Sequence, residues 1–195
     1  MHLKNITVFC GANSGANPEF TLIARKVGSL LAGRGIGVVY GGAKIGIMGA
    51  VADGALARGG RVTGILPHFL SAREIAHDGL TELVVVDSMH ERKLKMYAMS
   101  DGFLVLPGGF GTMDELFETL TWAQLGLHQK PIGILNTGHY YDELIALVER
   151  MAAEMILKDI YRSMMIVGDE IEELLSKMEN YRAPQVEKWI TPDKT

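Results

Sequence analysis

The stretch from Phe103 to Glu115 constrains the fold of this chain more than any other. An apolar strand over residues 103–106 runs through Pro107-Gly108-Gly109-Phe110-Gly111-Thr112 into a helical pattern that opens with Asp114 and Glu115. Three glycines within residues 108–111 leave backbone N–H groups uncovered, and the following helix aims the positive end of its dipole at the same point. Together these make a phosphate seat. The Glu115 carboxylate lies one turn inside the helix, within reach of a sugar carried by that phosphate.

The same strand-to-helix step recurs along the chain. Strands are expected over residues 6–10, 37–40, 62–66, 83–87, 103–106, 132–136 and 164–167. Helices are expected over 18–34, 47–58, 91–100, 113–127 and 140–154, with an acidic helix after Gly168. This alternation predicts an α/β fold, a doubly wound, mostly parallel sheet with helices on both faces. At 195 residues the chain fits one domain, taken as residues 1–179, with 180–195 a C-terminal tail that Tyr181 and Trp189 partly pack down.

Ligands of such sheets bind outside the carboxyl ends of the strands. Four loops there stand out, over residues 11–15, 41–49, 67–74 and 107–112, with Gly11, Gly42 and Gly46 as further pocket candidates. The run from Tyr40 to Gly49 passes from strand through glycines into helix, but its spacing fits neither G-x-G-x-x-G nor the P-loop. Met89-His90-Glu91-Arg92-Lys93 opens the helix before the phosphate loop. By itself it is a charged helix end. Beside that loop, Arg92 offers a planar fork to phosphate or a base edge, and Lys93 a mobile point charge. His90 has no visible orienting partner and reads as a solvent or packing residue.

Other chemistries find little support. The six histidines are scattered, no C-x-x-C or H-x-x-x-H pair occurs, and no metal or cofactor is expected. The G-x-S-x-G elbow of serine hydrolases is missing. A net charge of −4 without a basic stretch argues against nucleic acid, though not against a small anion. No apolar run reaches the ~20 residues needed to span a bilayer. The N-terminus does not read as a signal peptide, and the one cysteine, Cys10, fits a reducing, cytoplasmic setting. At the end of the first strand, Cys10 is expected to be an inert buried thiol.

The segment Pro107-Gly108-Gly109-Phe110-Gly111-Thr112-Met113-Asp114-Glu115 resembles the PGGxGTxxE signature of the LOG family. These are cytokinin-activating phosphoribohydrolases, long mislabelled as lysine decarboxylases. Met89-His90-Glu91-Arg92-Lys93 is similar to that family's second motif, and the likeness extends through Phe9-Cys10-Gly11, residues 40–49 and Thr121-Trp122-Ala123-Gln124-Leu125-Gly126 to about residue 160. Ala43 stands where many relatives have a third glycine, and Asp114 where Glu is common.

The resemblance implies a Rossmann-like fold and hydrolysis of the N-glycosidic bond of AMP or N6-substituted adenosine 5′-monophosphates. It carries Arg92 and Glu115 over as the catalytic pair. Glu74, Met89, Lys93, Gly108, Gly109, Phe110, Gly111, Thr112, Met113, Asp114 and Thr121 carry over as substrate contacts. It also implies a homodimer. The helix over 113–127 bears Leu116, Phe117, Leu120, Trp122 and Leu125 on more than one face, which fits either a doubly buried helix or that dimer, and the dimer is preferred. The competing class is a non-catalytic nucleotide carrier or sensor, since fold does not fix function. The joint presence of Arg92 and Glu115 favours the enzyme. A pyridoxal-dependent decarboxylase is rejected, because no lysine has a recognisable Schiff-base context.

Overall fold

The computed structural model describes residues 2–71 and 76–186. Its strands are β1 (Asn5–Phe9), β2 (Gly37–Tyr40), β3 (Val62–Pro67), β4 (Glu82–Val86), β5 (Gly102–Val105), β6 (Ile132–Leu135) and β7 (Met165–Gly168). They form one sheet in the order β4-β3-β2-β1-β5-β6-β7, and every strand pairing is parallel. The chain winds outward from β1 to the edge strand β4, returns to the other side of β1 as β5, and winds out again to β7. The winding therefore reverses between β1 and β5. Connections leaving these neighbours diverge and open a crevice at their carboxyl ends.

Alternation along each strand divides the core into two layers. Ile6, Val8, Cys10, Leu104 and Leu106 face α1 (Glu19–Gly33), α2 (Gly46–Leu56) and α8 (Ile171–Glu179). Phe9, Phe103 and Val105 face α4 (Met89–Ala98), α5 (Phe110–Gln124) and α6 (Asp142–Ala153). Val186 packs against the second layer. Helices α1 and α2 cross closely because Gly28 and Gly54 lie at their contact. A Cβ on Gly28 would overlap the Val51 carbonyl oxygen, and one on Gly54 that of Arg25.

The expected fold class is the observed one, but helix boundaries differ where they matter most. Helix α4 starts at Met89 rather than at 91, because Ser88 caps it: its hydroxyl accepts from the Glu91 N–H at 3.1 Å, while the Glu91 carboxylate accepts from the Asp87 N–H at 2.9 Å. The Ser-x-x-Glu spacing is a capping signal. Helix α5 starts at Phe110, three residues before the expected 113. Glycine is penalised in helix interiors, whereas here Gly111 sits in the first turn beside the buried Thr112. Asp114 and Glu115 consequently lie beyond the first turn, and no side chain caps α5. Two short helices, α3 (His68–Ser71) and α7 (Asp159–Arg162), arise in stretches with no helical expectation.

His128 pins the far end of α5 to the loop before β6. Its Nε2–H donates to the Thr119 carbonyl at 2.9 Å, and its Nδ1 accepts from the Lys130 N–H at 3.1 Å. Burial pushes its pKa down to about 4 from 6.5. The folded state thus refuses a proton that the unfolded chain accepts, so stability falls as pH drops from 6.5 towards 4. The fully developed loss is about 3 kcal/mol at most. His128→Gln is expected to flatten this part of the pH–stability curve in urea unfolding, and a slope equal to that of the parent protein would contradict it.

Candidate active site

The crevice between β1 and β5 holds a cleft of ≈ 360 Å³. Its floor and walls come from separate parts of the chain. Gly11, Ala12 and Asn13 leave β1, and Gly108 and Gly109 leave β5. Ile47 and Met48, in the first turn of α2, form an apolar wall with Phe20 of α1. Gly111, Thr112 and Glu115 project from α5, Arg92 from α4, and Tyr140 from the loop after β6.

The first helical hydrogen bond of α5 runs from the Met113 N–H to the Gly109 carbonyl. The N–H groups of Phe110, Gly111 and Thr112 therefore precede the helical ladder, as in the first turn of any helix. Gly109 and Gly111 have neither positive φ nor a neighbour that a Cβ would meet within 4 Å. Their glycine identity is required neither by the backbone nor by packing. Bare N–H groups facing a cleft are the remaining physical reason, and they suit an anion.

The same cleft holds a buried ion pair. Arg92 Nη1 donates to Glu115 Oε1 at 2.9 Å, and Arg92 Nε donates to the Ile65 carbonyl of β3 at 3.1 Å. The two side chains are only 8% and 6% exposed. A Cβ on Gly41 would overlap Arg92 Nη2, so the glycine after β2 makes room for the guanidinium. Burial pushes the Glu115 carboxyl above the usual carboxylate range, against the opposing pull of Arg92. Cys10 also borders the cleft. Burial, reinforced by the negative charge of Glu115, raises its pKa far enough that it stays an uncharged thiol.

The structure gathers some expected site residues and separates others. Arg92, Glu115, Gly11, Gly108, Gly109, Gly111 and Thr112 line the cleft. Lys93 does not. Its Nζ is held by Glu118 at 2.9 Å and Asp114 at 3.2 Å; burial lowers its pKa, and these two bonds outweigh that and raise it. Phe110 and Met113 border a neighbouring hollow on the other side of Gly108 and Gly109. Thr121 is exposed and bonds the Phe117 carbonyl of its own helix. Met89 and His90 are exposed, and Glu74 lies outside the described residues. Gly42 and Gly46 serve the backbone, with φ of 81° and 64°, and the Ala12 backbone packs against Gly46.

Of the further lining residues, Asn13 and Met48 fall within the loops singled out over 11–15 and 41–49, whereas Phe20 and Tyr140 lie outside all four. Tyr140 OH donates to the Gly108 carbonyl at 2.8 Å, and the neighbouring Tyr141 OH donates to the Leu106 carbonyl at 2.7 Å. The signal was available, since residues 136–140 also follow a strand. It is weaker than the glycine-rich loops over 11–15, 41–49 and 107–112 because it carries a single glycine.

Removing one partner of a buried ion pair leaves an uncompensated charge, whereas replacing both by apolar groups is often neutral. Arg92→Met is expected to destabilise the fold by about 3–5 kcal/mol. Arg92→Met combined with Glu115→Leu should recover most of that loss. Denaturant unfolding of the two variants tests this, and equal destabilisation of both would show that the pair is not energetically coupled.

Comparison with known proteins gives a consistent picture. A family model described as "Possible lysine decarboxylase" matches residues 48–178. A rice (Oryza sativa subsp. japonica) protein named "Probable cytokinin riboside 5'-monophosphate phosphoribohydrolase" is 46% identical over 176 residues, 90% of this chain and 79% of its own length. A cytokinin riboside 5′-monophosphate phosphoribohydrolase of Rhodococcoides fascians is 45% identical over 170 residues, 87% of this chain and 86% of its own. Among solved structures, the molybdenum cofactor binding protein of Rippkaea orientalis shares the fold with a TM-score of 0.70 at 22% identity, over 92% of this chain and 98% of its own.

Proposed function

The chain belongs to the LOG family, and on that premise we propose that it hydrolyses the N-glycosidic bond of AMP or N6-substituted adenosine 5′-monophosphates, releasing free base and ribose 5-phosphate. The observation that carries this reading is a buried carboxylate, held by an arginine, in the same cleft as the open N-terminus of α5. A pure phosphate binder has no need of that carboxylate.

The 5′-phosphate sits on the N–H groups of Gly109 to Thr112 and the Thr112 hydroxyl. The C1′–N9 bond then breaks, and its electron pair leaves on the base. Positive charge develops on the ribose, where the Glu115 carboxylate stabilises it and orients the ribose hydroxyls or the attacking water. Water gives its hydroxyl to C1′ and one proton to the departing base. Arg92 holds the carboxylate in place and adds positive charge beside the phosphate or base. Guanidinium stays protonated in proteins, so Arg92 is not the proton donor. Among the described residues no lysine lines the cleft, which speaks against an imine-forming decarboxylase.

The remaining expected contacts support a homodimer. Phe110, Asp114, Phe117 and Thr121 fall on one stripe of α5, by the helical spacing of 4, 7 and 11 residues. Phe110 is 96% exposed and Phe117 38%. A second copy packed on this stripe buries both rings and brings Thr121 and Asp114 of one protomer towards the cleft of its partner. The single cysteine supports a cytoplasmic setting for the assembly.

Incubation with AMP and with isopentenyladenosine 5′-monophosphate, followed by chromatography, is expected to show free base and ribose 5-phosphate. Glu115→Gln should keep nucleotide binding and lose about 10²-fold or more of turnover. Binding without release from either nucleotide would make the protein a carrier or sensor. The raised pKa of Glu115 places the acid limb of kcat/KM above the ordinary carboxylate value of 4.5, with activity falling as pH drops through it. Light scattering at micromolar concentration should give a dimer, and Phe110→Asp a shift to monomer. A monomeric parent protein would remove the dimer from this account.

A further inference from the structure

The loop that leaves β5 is anchored through its carbonyls. Three successive carbonyl oxygens each accept one hydrogen bond: Leu106 from Tyr141 OH at 2.7 Å, Pro107 from the Gly11 N–H at 3.0 Å, and Gly108 from Tyr140 OH at 2.8 Å. In a trans peptide the C=O and the following N–H point in opposite directions. Fixing each carbonyl therefore fixes the N–H behind it. The Leu106 bond is different in kind, because its peptide ends on Pro107, which has no N–H to present.

The Gly108–Gly109 peptide is the soft one. Its plane turns through ψ of Gly108 and φ of Gly109, and neither residue has a Cβ to resist rotation. A flipped plane would present a carbonyl oxygen where an anion needs a donor. The two tyrosines are themselves held firmly. The Tyr141 N–H donates to Asn136 Oδ1 at 2.8 Å, Asn136 Nδ2 donates to Asp142 at 2.8 Å, and Tyr140 packs edge-on against Phe20 and Tyr141.

We propose that Tyr140 is a positioning residue, whose hydroxyl holds the Gly108–Gly109 peptide with its N–H turned towards a bound phosphate, while Tyr141 secures only the root of the loop. The idea rests on the phosphate-seat reading above. Tyr140 acts on the phosphoryl half of the ligand and leaves the base half alone. Tyr141 is buried, and its loss leaves the Leu106 carbonyl without that donor, so its effect is on stability.

The test measures ribose 5-phosphate and adenine separately, by calorimetry and as competitive inhibitors, in the parent protein, Tyr140→Phe and Tyr141→Phe. Tyr140→Phe should weaken ribose 5-phosphate about five-fold, the scale of one hydrogen bond, and raise KM more than it lowers kcat. Its adenine affinity and Tm should stay at the parent values. Tyr141→Phe should lower Tm while the ratio of the two affinities stays unchanged. Equal ribose 5-phosphate affinity in Tyr140→Phe and the parent protein would overturn the proposal, as would an equal loss for both ligands. A parent protein that binds no ribose 5-phosphate would instead overturn the phosphate-seat reading, and this proposal with it.

Discussion

Burying two opposite charges at the foot of a cleft is costly, and the arrangement around Arg92 and Glu115 is organised to offset that cost. The positive charge is not left to its partner alone. The guanidinium also serves a carbonyl of β3, and Gly41 leaves space for it at the end of β2. Helix α4 supplies the arginine, α5 the carboxylate, and the central strands the remaining contacts. A buried ion pair is weak evidence for stability, since apolar groups of similar volume do as well or better. Its presence in the crevice between β1 and β5 is better explained by a charge that develops on a bound ligand.

The proposed anion seat beside the pair is made almost entirely of backbone. Gly109 and Gly111 do nothing visible for the fold, and the α5 N-terminus has no side-chain cap. Elsewhere glycines have structural work, as where α1 and α2 cross at Gly28 and Gly54. The contrast separates glycine retained for packing from glycine retained for access. A seat built of flexible backbone needs orientation from outside, which the hydrogen bonds to the carbonyls of Leu106, Pro107 and Gly108 supply.

The likeness to a molybdenum cofactor binding protein of the same architecture shows how little the fold alone says about activity. What points to hydrolysis is local, a buried carboxylate in the same cleft as the uncapped N-terminus of α5, together with curated phosphoribohydrolases at 45–46% identity. The exposed stripe of α5 extends the same logic. Phe110 and Thr121 are exposed and line no part of the cleft of their own protomer, which is why the proposal gives them to a second copy.

Much of this was legible in the sequence because the relevant physics is local. Short continuous apolar, β-branched runs and helical spacing determined the strands and helices, and their alternation determined a parallel sheet with its loops at one end. The glycine run after β5 marked one edge of the cleft by the same means. The start of α5 precedes its sequence expectation by three residues because the first turn carries Gly111 beside the buried Thr112, and no local pattern announces that burial. Only the tertiary structure decided that Arg92 meets Glu115 while its neighbour Lys93 turns to Glu118 and Asp114. Adjacent residues on a helix diverge by about 100°, so one of them reaches the cleft and the other does not. It also decided that Tyr140, from beyond β6, reaches Gly108. That contact depends on which strands lie side by side, and strand order is set by long-range packing rather than by any segment's own propensity.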